Sequence, residues 1–250
     1  MAGHSKWAGI KHKKAIIDAK RGKLWTKLLK EVTVAARLGG GDPDGNPRLR
    51  SAIQDARGAN CPKDTIDRAV KKGTGELEGL EYVEVSYEGY GPGGVAILVD
   101  TMTDNRNRTV AELRHLFSKN GGNLGESGCV AWMFDRRAQF AIPKDAMDEE
   151  SFVELAMELE AEDLATDGDA YELYGAVEDY NRLRESLEER ELALEVKQLA
   201  QIPQNTIRVD EEDTAGQLLG LLEALEDHDD VQSVWANFDI DDELFEQAAS

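Results

Sequence analysis

Two faces written on one helix, in the stretch from Met1 to Leu38, constrain this chain more than any other feature. At about 100° per residue, Lys13, Lys20, Lys23, Lys27, Lys30 and Arg37 share one sector. Ile17, Leu24, Trp25, Leu28, Leu29, Val32 and Ala35 fall roughly opposite. The apolar side requires further elements to cover it, and the cationic side is expected to point away from them. Gly39, Gly40 and Gly41 end the helix, since glycine tolerates the left-handed backbone found at helix C-termini.

Charge gives this helix its meaning. Up to Lys30 the segment carries Lys6, Lys11, Lys13, Lys14, Lys20, Arg21, Lys23, Lys27 and Lys30 against Asp18 alone, in a 250-residue chain of net charge −21. Residues 1–72 hold seventeen Lys and Arg against seven Asp and Glu, a net of +10, which leaves −31 for the rest. A basic segment on an acidic body is the pattern of a nucleic-acid-binding region whose other surfaces repel phosphate. The same acidity also suits a solubility adaptation to high salt. A charge run is commonly only a solvated face. The local density, His12 among its lysines, and Arg48, Arg50 and Arg57 on the next helix favour a polyanion partner. Trp7 suits either stacking on a base or anchoring the arm to the first helix.

Other chemistries find little support. No apolar run approaches a membrane span, no secretory or import signal is read, and a cytoplasmic protein is expected. Cys61 and Cys129 form no CxxC pair, and His4, His12, His115 and His228 are scattered, so neither metal nor cofactor is expected. The glycine-rich turn Gly89–Gly94 joins two strands and lacks a following Gly-Lys-Ser/Thr, which makes it a tight turn rather than a nucleotide loop. Acid pairs such as Glu149-Glu150, Glu188-Glu189 and Asp241-Asp242 are too common to single out a catalytic couple, and no enzyme is expected. The loop Asp104–Thr109 reads first as turn and cap chemistry, with Arg106 and Arg108 as a possible second anion contact in the sharper alternative.

The periodicities predict an α+β protein. Asn46-Pro47 opens a second helix that buries Leu49, Ala52, Ile53 and Ala56, and a third buries Ile66, Ala69 and Val70, with Lys71 and Lys72 at its negative end. Strands follow around Val83–Tyr87 and Val95–Val99, then a helix with Val110, Leu113, Leu116 and Phe117 inside, then a strand over Cys129–Phe134. Further strands are expected at Gln139–Ile142, near Leu164, at Tyr171–Tyr174, Thr206–Val209 and Val231–Phe238. Helices are expected around Phe152–Leu159, Val177–Arg190 and Leu218–Leu225. Because neither later block has a full βαββαβ complement alone, the expected organisation is a basic helical domain over 1–76, a ferredoxin-like domain from 77–137 plus 205–250, and an inserted acidic domain over 138–204.

Long motifs then carry a resemblance. Met1-Ala2-Gly3-His4-Ser5-Lys6-Trp7, Ala19-Lys20-Arg21-Gly22-Lys23, Gly39-Gly40-Gly41-Asp42-Pro43, Asn46-Pro47-Arg48-Leu49-Arg50, Tyr87–Gly94, Thr103–Thr109 and Ser118–Gly125 resemble the YebC/PmpR family over essentially the whole chain. Ala8-Gly9 and Trp25 are small departures. The resemblance implies a cytoplasmic protein with a helical domain and two α/β domains, one inserted into the other. It implies a DNA-binding transcriptional regulator or, as in mitochondrial and some bacterial members, a ribosome-associated translation factor that relieves stalling on proline-rich nascent chains. It implies no catalytic residues, cofactor or metal. A scaffold whose basic domain docks on acidic surfaces is a third reading.

Overall fold

In the computed structural model, which describes residues 18–248, helix α1 (Asp18–Gly39) packs its apolar side on α2 (Pro47–Gly58) and α3 (Lys63–Gly73). Val32, Ala35, Leu49, Ile53, Ile66 and Ala69 form this small core. Asn46 ties the first two helices together. Its Oδ1 accepts the Leu49 N–H (3.1 Å) and so caps α2, while its Nδ2 donates to the Ala35 (2.8 Å) and Gly40 (2.9 Å) carbonyls at the end of α1. Helix α3 approaches α1 closely enough that a Cβ at Gly73 would lie 2.4 Å from the Thr33 carbonyl oxygen, so this contact requires glycine.

The next domain is an antiparallel sheet of β1 (Val83–Tyr90), β2 (Ala96–Thr103), β3 (Asn123–Leu124) and β9 (Val231–Ala236), in the order β3-β1-β2-β9. One face carries α4 (Arg106–Lys119) and α7 (Glu212–Glu226), with Ile97, Val99, Leu113, Phe117, Leu218 and Leu222 between the layers. A second sheet contains β4 (Phe134–Pro143), β5 (Asp163–Ala165), β6 (Ala170–Gly175) and β7 (Val196–Pro203), in the order β5-β6-β4-β7. Helices α5 (Glu149–Glu158) and α6 (Tyr180–Glu189) pack on it through Phe152, Leu155 and Leu183. Because β9 returns to pair with β2 after this second sheet is complete, one α/β domain is inserted into the other. Ala96, Leu98 and Trp235 of the first sheet meet Phe134 and Ala200 of the second. A short parallel pair, β8 (Ile207–Arg208) with β10 (Phe238–Asp239), and helix α8 (Asp242–Ala248) complete the chain. Among the described residues no helix is long and apolar enough to cross a membrane.

Four elements differ from the sequence expectation. Cys129–Met133 is a turn and a short 3₁₀ segment, and the strand begins only at Phe134. The Glu88 carboxylate explains this, because it accepts the N–H groups of Gly128 (2.6 Å), Val130 (2.7 Å) and Ala131 (2.8 Å), and so takes donors that a strand ladder would use. Gln139–Ile142 is the second half of that same strand, Phe134–Pro143. Strand β7 lacks an apolar alternation because Lys197, Gln198 and Gln201 look into a cleft, and it was not expected; nor was α8.

Candidate nucleic-acid interface

Lys23, Lys27 and Lys30, spaced to project from one side of α1, do not point away from the protein. The Lys23 Nζ donates to the Asp227 carbonyl (3.0 Å) and lies 4.0 Å from that residue's carboxylate. The Lys27 Nζ donates to the Glu226 carbonyl (2.7 Å). The Lys30 Nζ reaches the Asp230 carboxylate (2.8 Å) and the carbonyls of Asp229 (2.9 Å) and Met102 (3.3 Å), and this lysine is 6% exposed. Their acceptors are the C-terminal end of α7 and the turn into β9, where helix carbonyls leave partial negative charge. The expectation of a bare lysine face is thus corrected: the second face of α1 has a partner too, in the acidic body.

Asp230 is the centre of that contact. Besides Lys30, its carboxylate accepts from Arg108 Nη2 (2.6 Å), Thr109 Oγ1 (2.8 Å) and Thr103 Oγ1 (3.2 Å). Burial alone would raise its pKa, but the bonds from Lys30, Arg108 and Thr109 outweigh burial and hold it well below the ordinary carboxylate value. Arg108 also pairs with Asp104 (2.9 Å), and Asn105 caps α4 by accepting the Arg108 N–H (3.1 Å). For Arg108, then, the loop is turn and cap chemistry, and the possible anion contact is corrected because two carboxylates already engage its guanidinium. Arg106 is exposed and pairs with no carboxylate among the described residues.

Most other candidate cations also hold domains together. Arg37 donates to the Tyr82 carbonyl. Arg48 bridges Glu31 (2.7 Å) and Glu84 (2.7 Å). Arg50 reaches the Pro43 carbonyl (3.3 Å) and Glu185 (3.4 Å). On the same side, buried Arg184 of α6 pairs with Asp55 of α2 (2.8 Å) and Glu188 (3.0 Å). The helical domain is therefore clamped to both α/β domains by charge. Lys6, Trp7, Lys11, His12, Lys13 and Lys14 lie outside the described residues, as do the side chains of Lys20 and Arg21.

What remains open is the outer side of the helical domain. Arg57, Lys63, Arg68, Lys71 and Lys72 are exposed, and none makes an ion pair among the described residues. Helix α3 turns Ile66 and Ala69 inward and leaves its four cations on the outward side, together with the two acids Asp64 and Asp67. Of these five, the sequence reading selected Arg57 alone and gave Lys71 and Lys72 a dipole role. The signal available was the same rule that flagged α1, cations opposite an apolar face. The cleft of about 820 Å³ where the three domains meet is a poor place for phosphate, since its seven lining carboxylates outnumber its five cations, and Lys23, Lys27, Arg48 and Lys197 among these are already engaged. Glu112, His228 and Asp230 come close enough to hold a metal ion. Their donors are already used: Asp230 has four partners, while His228 accepts the Asp230 N–H at Nδ1 (3.1 Å) and meets Glu112 at Nε2 (2.9 Å).

The chain matches two family models, the TACO1/YebC protein N-terminal domain over residues 5–76 and the TACO1/YebC second and third domain over residues 82–238. It is 54% identical to a "Probable transcriptional regulatory protein" of Syntrophobacter fumaroxidans, with 100% of both chains covered. It is 57% identical to one of the same name from Natranaerobius thermophilus, covering 98% of this chain and 99% of the relative. Among solved structures it is similar to a conserved hypothetical protein from Aquifex aeolicus, at 49% identity and a TM-score of 0.86, covering 93% of this chain and 96% of that one.

Proposed function

The chain belongs to the TACO1/YebC family, and from that premise we propose that it is a nucleic-acid-binding regulator of gene expression, in the first place a DNA-binding transcriptional regulator acting in the cytoplasm. One observation carries the reading. In a molecule of net charge −21, the outer side of the helical domain keeps Arg57, Lys63, Arg68, Lys71 and Lys72 exposed and unpaired among the described residues. Lys6, Lys11, Lys13 and Lys14 add to the positive charge of the first 72 residues. Phosphate contacts from such a surface supply affinity that falls with salt, and the acidic body limits indiscriminate adhesion. The relatives' names support a role in transcription.

A second reading, a ribosome-associated translation factor that binds ribosomal RNA, is favoured by the composition of that surface. Lys63, Lys71 and Lys72 suit phosphates, and the outer side of α3 offers no Asn or Gln for base edges. Cross-linking in cells followed by sequencing separates the two. Enrichment at promoters supports the transcriptional reading, enrichment of ribosomal RNA supports the translational one, and recovery of neither sinks both.

A further inference from the structure

We infer that helix α4 is a second phosphate-contacting surface for the nucleic acid that the helical domain engages, an inference that rests on the function proposed above. Beyond residue 72 the chain has twelve Lys and Arg among forty-three Asp and Glu, so a cation there has acids in excess to pair with. Arg137, Arg182, Arg184, Arg190, Lys197 and Arg208 each do so, whereas Arg136 and Lys144 are exposed without an ion pair among the described residues. Helix α4 differs in gathering such cations in one element. It holds Arg106, Arg108, Arg114 and Lys119 against the single acid Glu112. Arg106, Arg114 and Lys119 are exposed and pair with no carboxylate among the described residues.

The placement of these residues does not serve the helix itself. Arg106 is its first residue, at the positive end of the dipole, in a first turn that has no acid. Arg108 has the same difficulty and is compensated by Asp104 and Asp230; Arg106 is not. Thr109, Leu113 and Phe117 face the core, whereas Asn107, Ala111, Arg114, His115 and Ser118 face outward, with short side chains beside the cations. At about 1.5 Å per residue, Arg106 and Lys119 stand about 20 Å apart along the axis. Around the axis Arg114 and Lys119 stand about 140° apart, on the two flanks of the outward side, so the cations reach separate phosphates rather than one line of them.

Geometry also connects this surface to the first one. Lys30 of α1 and Arg108 of α4 grip opposite oxygens of the same Asp230 carboxylate, at 2.8 and 2.6 Å. The helical domain and α4 are therefore held in a fixed relation. A nucleic acid fits this better than an acidic protein, because its charge repeats along a rigid backbone rather than gathering in one patch.

The test uses the full chain and a labelled 40-bp DNA duplex, a labelled RNA duplex of the same length, and poly-glutamate, titrated from low to moderate salt. The variant Arg106→Gln/Arg114→Gln/Lys119→Gln is expected to bind the preferred duplex about 10-fold more weakly and to lower the salt slope by roughly two to three. Arg114→Lys with Lys119→Arg should keep parental binding, and circular dichroism should show the fold intact in both. If the triple variant binds like the parent while substitutions on the α3 surface weaken binding, this inference falls and the proposed function stands. If the parent binds neither duplex, both fall. Loss confined to poly-glutamate would overturn the inference in favour of an acidic protein partner.

Discussion

Asp230 shows how much one side chain can decide. It is 3% exposed, and its two oxygens accept from Lys30, Arg108, Thr103 and Thr109. A buried carboxylate with two cationic partners is costly to disrupt from one side, since Lys30 then stays buried without a carboxylate, whereas Arg108 keeps Asp104 and solvent. Asp230→Asn is predicted to lower unfolding stability by about 3 kcal/mol at neutral pH in urea titrations. The pH dependence has a definite sign. The folded carboxyl is held below its ordinary value of 3.8, so its stabilisation is fully present above that value and is lost progressively as pH falls below it toward the depressed folded value. The gap between parent and variant should therefore shrink below about pH 4, and a gap constant down to pH 2 would contradict the assignment. None of this was legible in the sequence. A helical wheel places Lys30 on a cationic face but does not say what meets that face, and Asp230 sits in an acid-rich run that reads as solvated surface.

At the scale of elements, burial patterns were legible where one side of an element faces a core. The inward residues of α2 and α3 follow directly from their spacing, as does the alternation of β1, and Asn46-Pro47 marks a helix start that the side chain of Asn46 does cap. Elements at domain junctions were not legible. Strand β7 turns Lys197 and Gln201 into the cleft, and Cys129–Met133 has a strand-like composition yet forms a turn because Glu88 takes its backbone donors. Burial alone would raise the Glu88 pKa; the three N–H groups reverse this and hold it below the ordinary carboxylate value. Glu88→Gln is predicted to cost about 2 kcal/mol, since a neutral amide oxygen replaces a charged acceptor shared by three donors. The local consequence should be visible at Trp132, which is 67% exposed and donates its indole N–H to the Cys129 carbonyl (3.2 Å). Its fluorescence should shift as the turn loosens. Unchanged stability and spectrum would show that the turn forms without Glu88.

Across the whole molecule, charge does two separate jobs. Ion pairs and charged hydrogen bonds lock the helical domain to the α/β domains: Lys23, Lys27 and Lys30 on the α7 end, Arg48 on Glu84, and Arg184 of α6 on Asp55. Outward cations on α3 and at Arg57 stay open. The sequence displays the surplus of positive charge at the N-terminal end but not this division, because the division depends on which surfaces the folded domains bring together. The most direct measurement compares two charge-altered forms of the full chain, in binding to DNA and RNA duplexes across salt concentrations and in thermal unfolding. With Arg57, Lys63, Arg68, Lys71 and Lys72 changed to Gln, duplex affinity should fall at least about 10-fold with a shallower salt slope and little change in unfolding temperature. With Lys27 and Lys30 changed to Gln, the unfolding temperature should drop, and duplex affinity measured well below it should stay within about 2-fold of the parent. The opposite pattern, binding lost with the inner lysines and kept without the outer cations, would contradict the account.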